Sequence, residues 1–361
     1  MTVLFLILGL IALLAGAEAL VRGASRLAIS FGVSPLVVGL TIVAFGTSAP
    51  ETAVSVGAVV GGTTDLAIGN VIGSNIFNIL VILGVSALVK PLIVHAQIVR
   101  QELPVMIGAS ILLVLLVLDG RLQQYESMVL VVGVVAYTTF LVRQSRAETR
   151  ATKKQFEEGI ASEPEAGWDR HWAAQVGLVI AGLGLLVLGS ELLVSAAVTI
   201  AKSLGVSDLV IGLTVVAAGT SLPEVATSVM AAARGQRDIA VGNVIGSNTF
   251  NILFCLGAAG SISPDGLGMA PSVLSFDIWV MLGVAVLTLP LFISGYVVTR
   301  MNALVLIGFY VAFTAYLLME ASASPALPAF ADAMVRYVLP VSVVGLVILM
   351  VKSASSPKPT G

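Results

Sequence analysis

The sequence predicts an all-α polytopic membrane protein, with two inverted five-helix repeats forming a ten-helix core and one extra transmembrane helix near the C-terminal end. The first observation is composition: 58% of the 361 residues are hydrophobic and 11% are charged, whereas a soluble domain has about a quarter charged residues. The second is a series of long apolar stretches, and the third is a segment that occurs twice. So little charge cannot cover a soluble globule, which argues against a soluble enzyme or a disordered chain.

Several other classes are disfavoured by residue counts. The formal net charge is −2, so there is no basic excess for a polyanion, and we expect no nucleic-acid partner. The single cysteine, Cys255, cannot form an intramolecular disulfide, and we interpret it as an inert packing residue. Two histidines, His95 and His171, are too few for a zinc or copper site. We therefore expect no resident cofactor.

The apolar stretches define the predicted transmembrane helices. A helix needs about 20 residues to cross the hydrocarbon core, and eleven stretches of suitable length occur. The first is predicted to be a span and not a cleaved signal, because it lacks a basic segment before it and stays apolar beyond a signal's usual length. We place the eleven spans at 2–21, 33–60, 66–89, 104–118, 125–142, 172–194, 206–233, 239–260, 277–294, 301–319 and 335–351.

The basic residues predict the orientation. Loops alternate between the two sides, and fifteen of the eighteen lysines and arginines fall on the side that includes the C-terminal tail. Basic residues concentrate in cytoplasmic loops. We therefore expect a plasma or inner membrane protein with its N-terminus outside and its C-terminus in the cytoplasm. Residues 143–171 would then form a cytoplasmic loop, interpreted as a solvated linker because its glutamates lack the spacing of a calcium loop.

An internal repeat divides the chain. Residues 39–78 and 212–251 align without a gap at an offset of 173 and are identical at 26 of 40 positions. Each half holds five spans, and an odd number makes the second half enter the membrane from the opposite face. Inverted repeats are typical of transporters whose sites lie where broken helices meet near the midplane. The predicted domains are the two repeats at 1–142 and 172–320, the loop at 143–171, and the extra helix with a short tail at 321–361.

Both copies contain the run Gly-Thr-Ser-x-Pro-Glu inside an apolar span. The acids, Glu51 and Glu224, would each cost about 2.5–3.5 kcal/mol at the midplane unless a ligand or proton compensates. Proline removes a backbone donor, so we expect each helix to break or unwind before Pro50 and Pro223. One copy could be a capping box with a proline kink, but two matched copies favour a cation site. The carbonyls that would then face a cavity belong to Ala44, Phe45, Gly46, Ala217, Ala218 and Gly219.

Spans 3 and 8 contribute further oxygen donors, four residues apart on one helical face. They are Asn70, Ser74 and Asn78, with Asn243, Ser247 and Asn251. Hydroxyl, amide, carbonyl and carboxylate oxygens suit Na⁺ and Ca²⁺ better than soft metals, and two glutamates would neutralise one Ca²⁺. We interpret Asn70 and Asn243 as packing residues between helices. Glu18 and Glu191 are expected to form a salt bridge or an interhelical hydrogen bond, with Arg22 available four residues after Glu18.

At these motifs the chain resembles the cation/calcium exchanger superfamily, and within it the sodium/calcium exchangers of prokaryotic type. Their repeats contain Gly-Thr-Ser-x-Pro-Glu and Gly-Ser-Asn-x-Phe-Asn, found here at 46–51 with 73–78 and at 219–224 with 246–251. The resemblance implies cation sites near these motifs, and spans 1 and 6 that slide across the remaining core. It implies carbonyl ligands from Ala44 and Ala217. The implied side-chain ligands are Thr47, Ser48, Glu51, Ser74, Asn78, Thr220, Ser221, Glu224, Ser247 and Asn251.

The predicted function is therefore a Na⁺/Ca²⁺ antiporter working by alternating access, with Na⁺, Ca²⁺ and the lipid bilayer as its partners. Asn251 stands where K⁺-dependent members have Asp, which implies independence of K⁺. The main alternative is a Ca²⁺/H⁺ antiporter of the same superfamily, whose branch uses a different repeat motif. A passive cation channel and an intramembrane enzyme are less consistent with the sequence, which lacks the usual catalytic motifs. The oligomeric state stays open, a monomer included.

Overall fold

The computed structural model describes residues 2–160, 171–204, 217–338, 340 and 344–345, and this part of the chain is mostly helical. Its helices are α1 (Thr2–Phe31), α2 (Pro35–Thr47), α3 (Ala49–Val60), α4 (Thr64–Val89), α5 (Ile98–Leu116), α6 (Gln124–Ile160), α7 (Trp172–Ser203), α8 (Ala217–Thr220), α9 (Leu222–Ala233), α10 (Arg237–Ser261), α11 (Val273–Ile293), α12 (Arg300–Ala321) and α13 (Leu327–Ala333).

Within the described residues, eight helices are long and apolar enough to cross a membrane. Helices α2 and α3, which meet at a 42° bend, make a ninth if the pair is counted as one span. These nine match predicted spans 1 to 6 and 8 to 10. Helices α8 and α9 belong to the predicted span at 206–233, of which residues 206–216 lie outside the described residues. The predicted span at 335–351 also lies mostly outside them, so the structure does not test the eleventh helix.

Helix α6 differs from the sequence-based expectation. The predicted span ends at 142, but the helix continues to Ile160 and takes in the first part of the predicted loop. The added stretch is rich in Arg, Lys, Glu, Gln and Ala, which have high helix propensity, and no proline interrupts it. Hydropathy predicts where the apolar stretch ends, but the high helix propensity of the residues that follow allows the helix itself to continue.

The centre of the molecule is formed by α4 and α10, the helices that contain the second repeat motif. Inside the molecule, 78% of the most apolar window of α4 and 94% of that of α10 are buried, against 28% for α1 and for α7. Each central helix includes a π-helical turn directly after its motif, at Asn78–Ile82 and at Asn251–Leu256. Such turns are frequent at functional sites. The repeated polar motif therefore lies in the core and not at the periphery.

Four two-residue strands join loops of the two halves. Strand β1 (Leu92–Ile93) pairs antiparallel with β4 (Val297–Val298), with Leu92 opposite Val298. Strand β2 (Arg121–Leu122) pairs with β3 (Leu267–Gly268) in the same sense. Each ladder therefore links a loop of the first half to a loop of the second.

Helices α1 and α7 pack against each other in antiparallel orientation along a seam of glycines. Gly16 lies against Gly182, and Gly9 lies against Gly189. A Cβ added at Gly182 would lie 2.6 Å from the backbone nitrogen of Leu20, closer than real Cβ contacts. Small residues allow membrane helices to approach this closely. The seam therefore makes α1 and α7 one tightly packed pair beside the core.

The seam can be tested with Gly182→Ala. The new Cβ meets backbone atoms of α1 that cannot move aside locally, so the two helices must separate. Overpacking of this kind costs about 1–3 kcal/mol, and we expect a lower Tm for the purified protein in detergent. Gly177→Ala is the matched control, because no atom of the described structure lies within 4 Å of a Cβ added there. Equal Tm values for the two variants would show that the seam is not close-packed.

Candidate functional site

The first broken helix bends at Ser48. This residue has φ −80° and ψ 9°, and it separates α2 from α3. The Ser48 amide still donates to the Ala44 carbonyl at 3.0 Å, and the Thr52 amide donates to the Ser48 carbonyl at 3.1 Å. Of the two expected outcomes, a break or an unwound segment, the structure has the break: the helix bends at one residue, and its backbone hydrogen bonds continue on both sides. The Ala44 carbonyl oxygen also lies within hydrogen-bond distance of the Thr47 hydroxyl, at 3.4 Å.

The second repeat has the same geometry at Ser221. Its φ of −88° and ψ of 7° place the bend between α8 and α9, and the Val225 amide donates to its carbonyl at 3.0 Å. In both repeats proline occupies the first turn of the following helix, where its missing N–H is not needed. Glu51 and Glu224 lie in that same first turn, where a helix N-terminus stabilises an anion. Ala217 lies at the start of α8.

The two motifs bond to each other crosswise. The Ser48 hydroxyl donates to Oε1 of Glu224 at 3.2 Å, and the Ser221 hydroxyl donates to Oε1 of Glu51 at 3.0 Å. Serine at this position commonly caps the helix that follows, but here each hydroxyl bonds the carboxylate of the other repeat and neither caps its own helix. Thr47 lies near Glu224 and Thr220 near Glu51, in the same crossed sense. The two repeats therefore form one polar cluster.

The central helices complete this cluster from the side. Ser221 Oγ lies 3.4 Å from Ser74 Oγ, which brings α4 to the second broken helix. Asn78, Ser247 and Asn251 are buried with them. Of the ten predicted side-chain ligands, nine are buried and Thr220 is half-buried. The nine include both glutamates, at 0% and 1% exposure.

Four buried oxygens of this cluster have no hydrogen-bond partner in the described structure. They are Glu51 Oε2, Glu224 Oε2, Asn78 Oδ1 and Ser247 Oγ. A buried polar atom without a partner is costly, and a carboxylate oxygen is the most costly of all. Among the described residues, no three His, Cys, Asp or Glu side chains lie close enough together to hold a metal ion. The donors available in this cluster are therefore two carboxylates surrounded by neutral oxygens. This donor set fits a hard cation and does not fit zinc or copper.

Asn70 and Asn243 make the interhelical hydrogen bonds expected of packing residues. Asn70 donates to the Glu51 carbonyl at 3.2 Å and to Ser55 Oγ at 3.1 Å. Asn243 donates to Ser228 Oγ at 2.9 Å and accepts from Thr47 Oγ1 at 3.1 Å. Asn70 therefore links α4 to α3, and Asn243 links α10 to α9 and α2.

Sequence reasoning missed two groups of residues that contact the cluster. Asn75 and Asn248 bond the amides of Asn251 and Asn78; their occurrence in both copies of Gly-Ser-Asn-x-Phe-Asn was a signal that could have found them. Cys255 is not an isolated packing residue, because its thiol lies 3.6 Å from Asn251 Oδ1 and 2.8 Å from the hydroxyl of Thr52. The repeat gives no signal for the contact between Cys255 and Thr52, because Cys255 matches an isoleucine at the 173-residue offset.

Glu18 and Glu191, which match at the repeat offset, have different surroundings. Glu18 forms the expected salt bridge, and the structure gives it Arg234, directly after α9, at 2.6 Å, as a partner. Glu191 instead lines a groove of about 600 Å³ between α7 and the first broken helix, together with Gly46 and Ala49, which flank the bend at Ser48. Beside Glu191, the Ser190 hydroxyl donates to the Gly219 carbonyl of α8 at 2.6 Å.

A buried cluster of carboxylate, hydroxyl and amide oxygens, formed where broken helices meet inside a helical membrane bundle, is characteristic of membrane transporters for hard cations. The sequence profile of the family described as sodium/calcium exchanger protein matches residues 1–143 and 174–319. The chain belongs to this family, which is one of transporters, and it is an integral membrane protein. The resemblance identified from the repeat motifs is confirmed.

Individual relatives agree. The sodium/calcium exchanger MaX1 of Methanosarcina acetivorans is 34% identical over 340 residues, covering 86% of this chain and 96% of MaX1. The putative antiporter CaxA of Alkalimonas amylolytica is 41% identical over 267 residues, covering 74% of this chain and 82% of CaxA. A solved structure of the sodium-calcium exchanger NCX_Mj matches with a TM-score of 0.74 at 31% identity, over 88% of this chain and 98% of the other.

The cluster can be tested by cation-dependent stability. If it binds Ca²⁺, saturating CaCl2 should raise the Tm of the purified protein, because a ligand present at 100 times its Kd stabilises the folded state by about 2.7 kcal/mol. Glu51→Gln removes one of the two charges and should lose most of this increase. Glu320→Gln, the same change at an exposed position near the end of α12, should keep it. An equal increase in all three proteins would place the cation elsewhere.

Proposed function

We propose that this protein is a secondary active antiporter that exchanges Na⁺ for Ca²⁺ across the cell membrane. The observation that supports this most directly is the buried cluster at the meeting point of the two glutamate motifs, with four oxygens that lack hydrogen-bond partners. The family relationship supports the same ions, since MaX1 and NCX_Mj are both named as sodium/calcium exchangers. The ions are transported substrates. The protein needs no cofactor for this activity and catalyses no chemical reaction.

The ligands in this proposal are the residues of the two repeats. Two carboxylates supply a charge of −2, which balances one Ca²⁺ or two Na⁺, and the neutral oxygens complete the coordination. Because both ions use the same few oxygens, they compete, and competition couples their movements. The ligands are the side chains of Thr47, Ser48, Glu51, Ser74, Asn78, Thr220, Ser221, Glu224, Ser247 and Asn251, with the carbonyls of Ala44 and Ala217.

Alternating access fits the division between the buried centre and the α1–α7 pair. Helices α4 and α10 are held by contacts on all sides, whereas α1 and α7 lie at the periphery and pack chiefly on each other. The pair slides across the centre and exposes the cluster to one side at a time. In the present conformation the groove beside Glu191 approaches the bend at Ser48, and the Glu18–Arg234 ion pair joins α1 to the end of α9.

The two halves are inverted repeats in this proposal. Reciprocal contacts support the symmetry: Ser48 bonds Glu224 just as Ser221 bonds Glu51, and the partners differ by the same 173 residues. The concentration of basic residues on one side places the N-terminus outside, with the C-terminus and the 143–171 segment in the cytoplasm. The groove beside Glu191 then opens to the outside.

Transport is tested in liposomes loaded with NaCl and diluted into Na⁺-free buffer containing radiolabelled Ca²⁺. The protein should accumulate Ca²⁺, and Glu51→Gln and Glu224→Gln should each reduce uptake to the level of empty liposomes, because a neutral amide cannot balance a divalent ion. Glu320→Gln, at the exposed position used above, should retain normal uptake.

The same experiment separates the rival functions. Uptake driven by a pH gradient without Na⁺ would assign a Ca²⁺/H⁺ antiporter, which uses the same carboxylates as proton carriers. Ca²⁺ flux that needs no counter-ion gradient would assign a channel. Normal uptake by either glutamate variant would contradict the proposed ligand set.

The neutral amide of Asn251 leads to a separate expectation about K⁺. A third carboxylate in this cluster would add a negative charge that an extra monovalent cation could balance, and Asn251 supplies none. We expect Na⁺-driven Ca²⁺ uptake to be unchanged when K⁺ is replaced by choline on both sides of the membrane. A strict requirement for K⁺ would show that another group binds it.

A further inference from the structure

The two asparagines in the proposed ligand set pose an orientation problem. A carboxamide has one oxygen, which can bind a cation, and one NH2 group, which repels it. Asn78 and Asn251 act as ligands only if their oxygens face the cluster. A half-turn about the last side-chain bond would exchange the two groups with little change in shape. Something must therefore select the correct orientation of each amide.

On the Asn78 side, a chain of hydrogen bonds makes this selection. Asn248 Nδ2 donates to the backbone carbonyl of Asn75 at 3.3 Å, so its Oδ1 points the other way. That Oδ1 accepts from Asn78 Nδ2 at 2.9 Å. Asn78 Oδ1 is then left without a partner inside the cluster. The chain starts at a backbone carbonyl, which can only accept, so its direction cannot be reversed.

The other half repeats this arrangement with the partners exchanged. Asn75 Nδ2 donates to the backbone carbonyl of Asn248 at 3.3 Å, and Asn75 Oδ1 accepts from Asn251 Nδ2 at 3.1 Å. Asn251 Oδ1 therefore points away from Asn75, and it lies 3.6 Å from the thiol of Cys255, a weak donor. All four asparagine side chains are at most 2% exposed, so water does not compete for these bonds.

We propose that Asn75 and Asn248 are positioning residues, which hold the amides of Asn251 and Asn78 with their oxygens toward the transported cation. The proposal rests on the function proposed above. Each positioning residue acts on the other central helix: Asn248 on α10 orients Asn78 on α4, and Asn75 on α4 orients Asn251 on α10. Neither positioning residue touches the cation. The four amides also join the two central helices at the start of their π-helical turns.

The test is a double-mutant cycle on the half-saturation concentration for Ca²⁺ in the liposome assay. Asn248→Ala leaves the Asn78 amide free to rotate, and a hydrogen bond of ordinary strength corresponds to about fivefold in an equilibrium constant. We expect about a fivefold increase in half-saturation. In a protein that already has Asn78→Ala, the same change should cause little further increase. Combined with Asn251→Ala, it should have its full effect, and Asn75→Ala should show the reverse pattern.

Thr249→Val is the control for a purely structural effect. Thr249 is buried beside Asn248 on α10, and its hydroxyl donates only to the carbonyl of Ile245 in the same helix, at 3.0 Å. Its loss should alter Tm without altering half-saturation. If Asn248→Ala lowers Tm alone, or raises half-saturation equally with and without Asn78, the positioning role is wrong.

Failure of the proposed function gives a different result. If the unmodified protein shows no Na⁺-driven Ca²⁺ uptake, the antiporter proposal fails, whatever the asparagines do. The cycle is then judged on the Tm increase with added CaCl2, NaCl or MnCl2, using whichever cation stabilises the unmodified protein. Non-additivity of Asn248 with Asn78 in that binding series supports positioning, and additivity overturns it. A protein stabilised by none of the three cations also overturns it, because the cluster then holds no ion to which the amides could be directed.

Discussion

Two buried carboxylates inside a membrane bundle are the constraint on which the rest of this structure depends. Glu51 and Glu224 are fully desolvated, and a charge in this position is tolerated only where other groups compensate. Each lies in the first turn of a helix that starts at a bend, receives hydroxyls from the opposite repeat, and leaves one oxygen open. The bends, the prolines and the crossed serines together bring the two carboxylates and their hydroxyl partners into one buried cluster.

The same constraint separates the molecule into a centre and a peripheral pair. Helices α4 and α10 are the most buried helices and complete the cluster. Reciprocal hydrogen bonds between their asparagines join the two halves. Helices α1 and α7 pack on each other through glycines instead, and their apolar windows are less buried by the described residues than those of α4 and α10. The two halves differ in the residue that could pair with the glutamate of α1 or α7. Arg234, the partner of Glu18, matches Gly61 at the repeat offset, so Glu191 has no equivalent arginine at that position.

Much of this was predictable from one sequence. Hydropathy located the long apolar helices that the described residues contain, and the repeated motifs identified the family. The failures have physical causes. Hydropathy could not show that α6 continues as a helix to Ile160, because helix propensity extends beyond the apolar stretch. Proline predicted a broken or unwound helix before Glu51 but could not show which of the two forms. Proline in the first turn of a helix needs no unwinding, and the break is a bend at Ser48.

The sequence by itself determined which residues are equivalent in the two halves, because an ungapped offset of 173 needs no structure to be read. It also determined that two acids must be compensated within the membrane. Only the tertiary structure decided that each serine bonds the other repeat's glutamate, and which atom of each asparagine faces the cluster. These contacts join residues about 170 positions apart. No local propensity or periodicity acts over that distance, so they exist only once α4, α10 and the broken helices have packed.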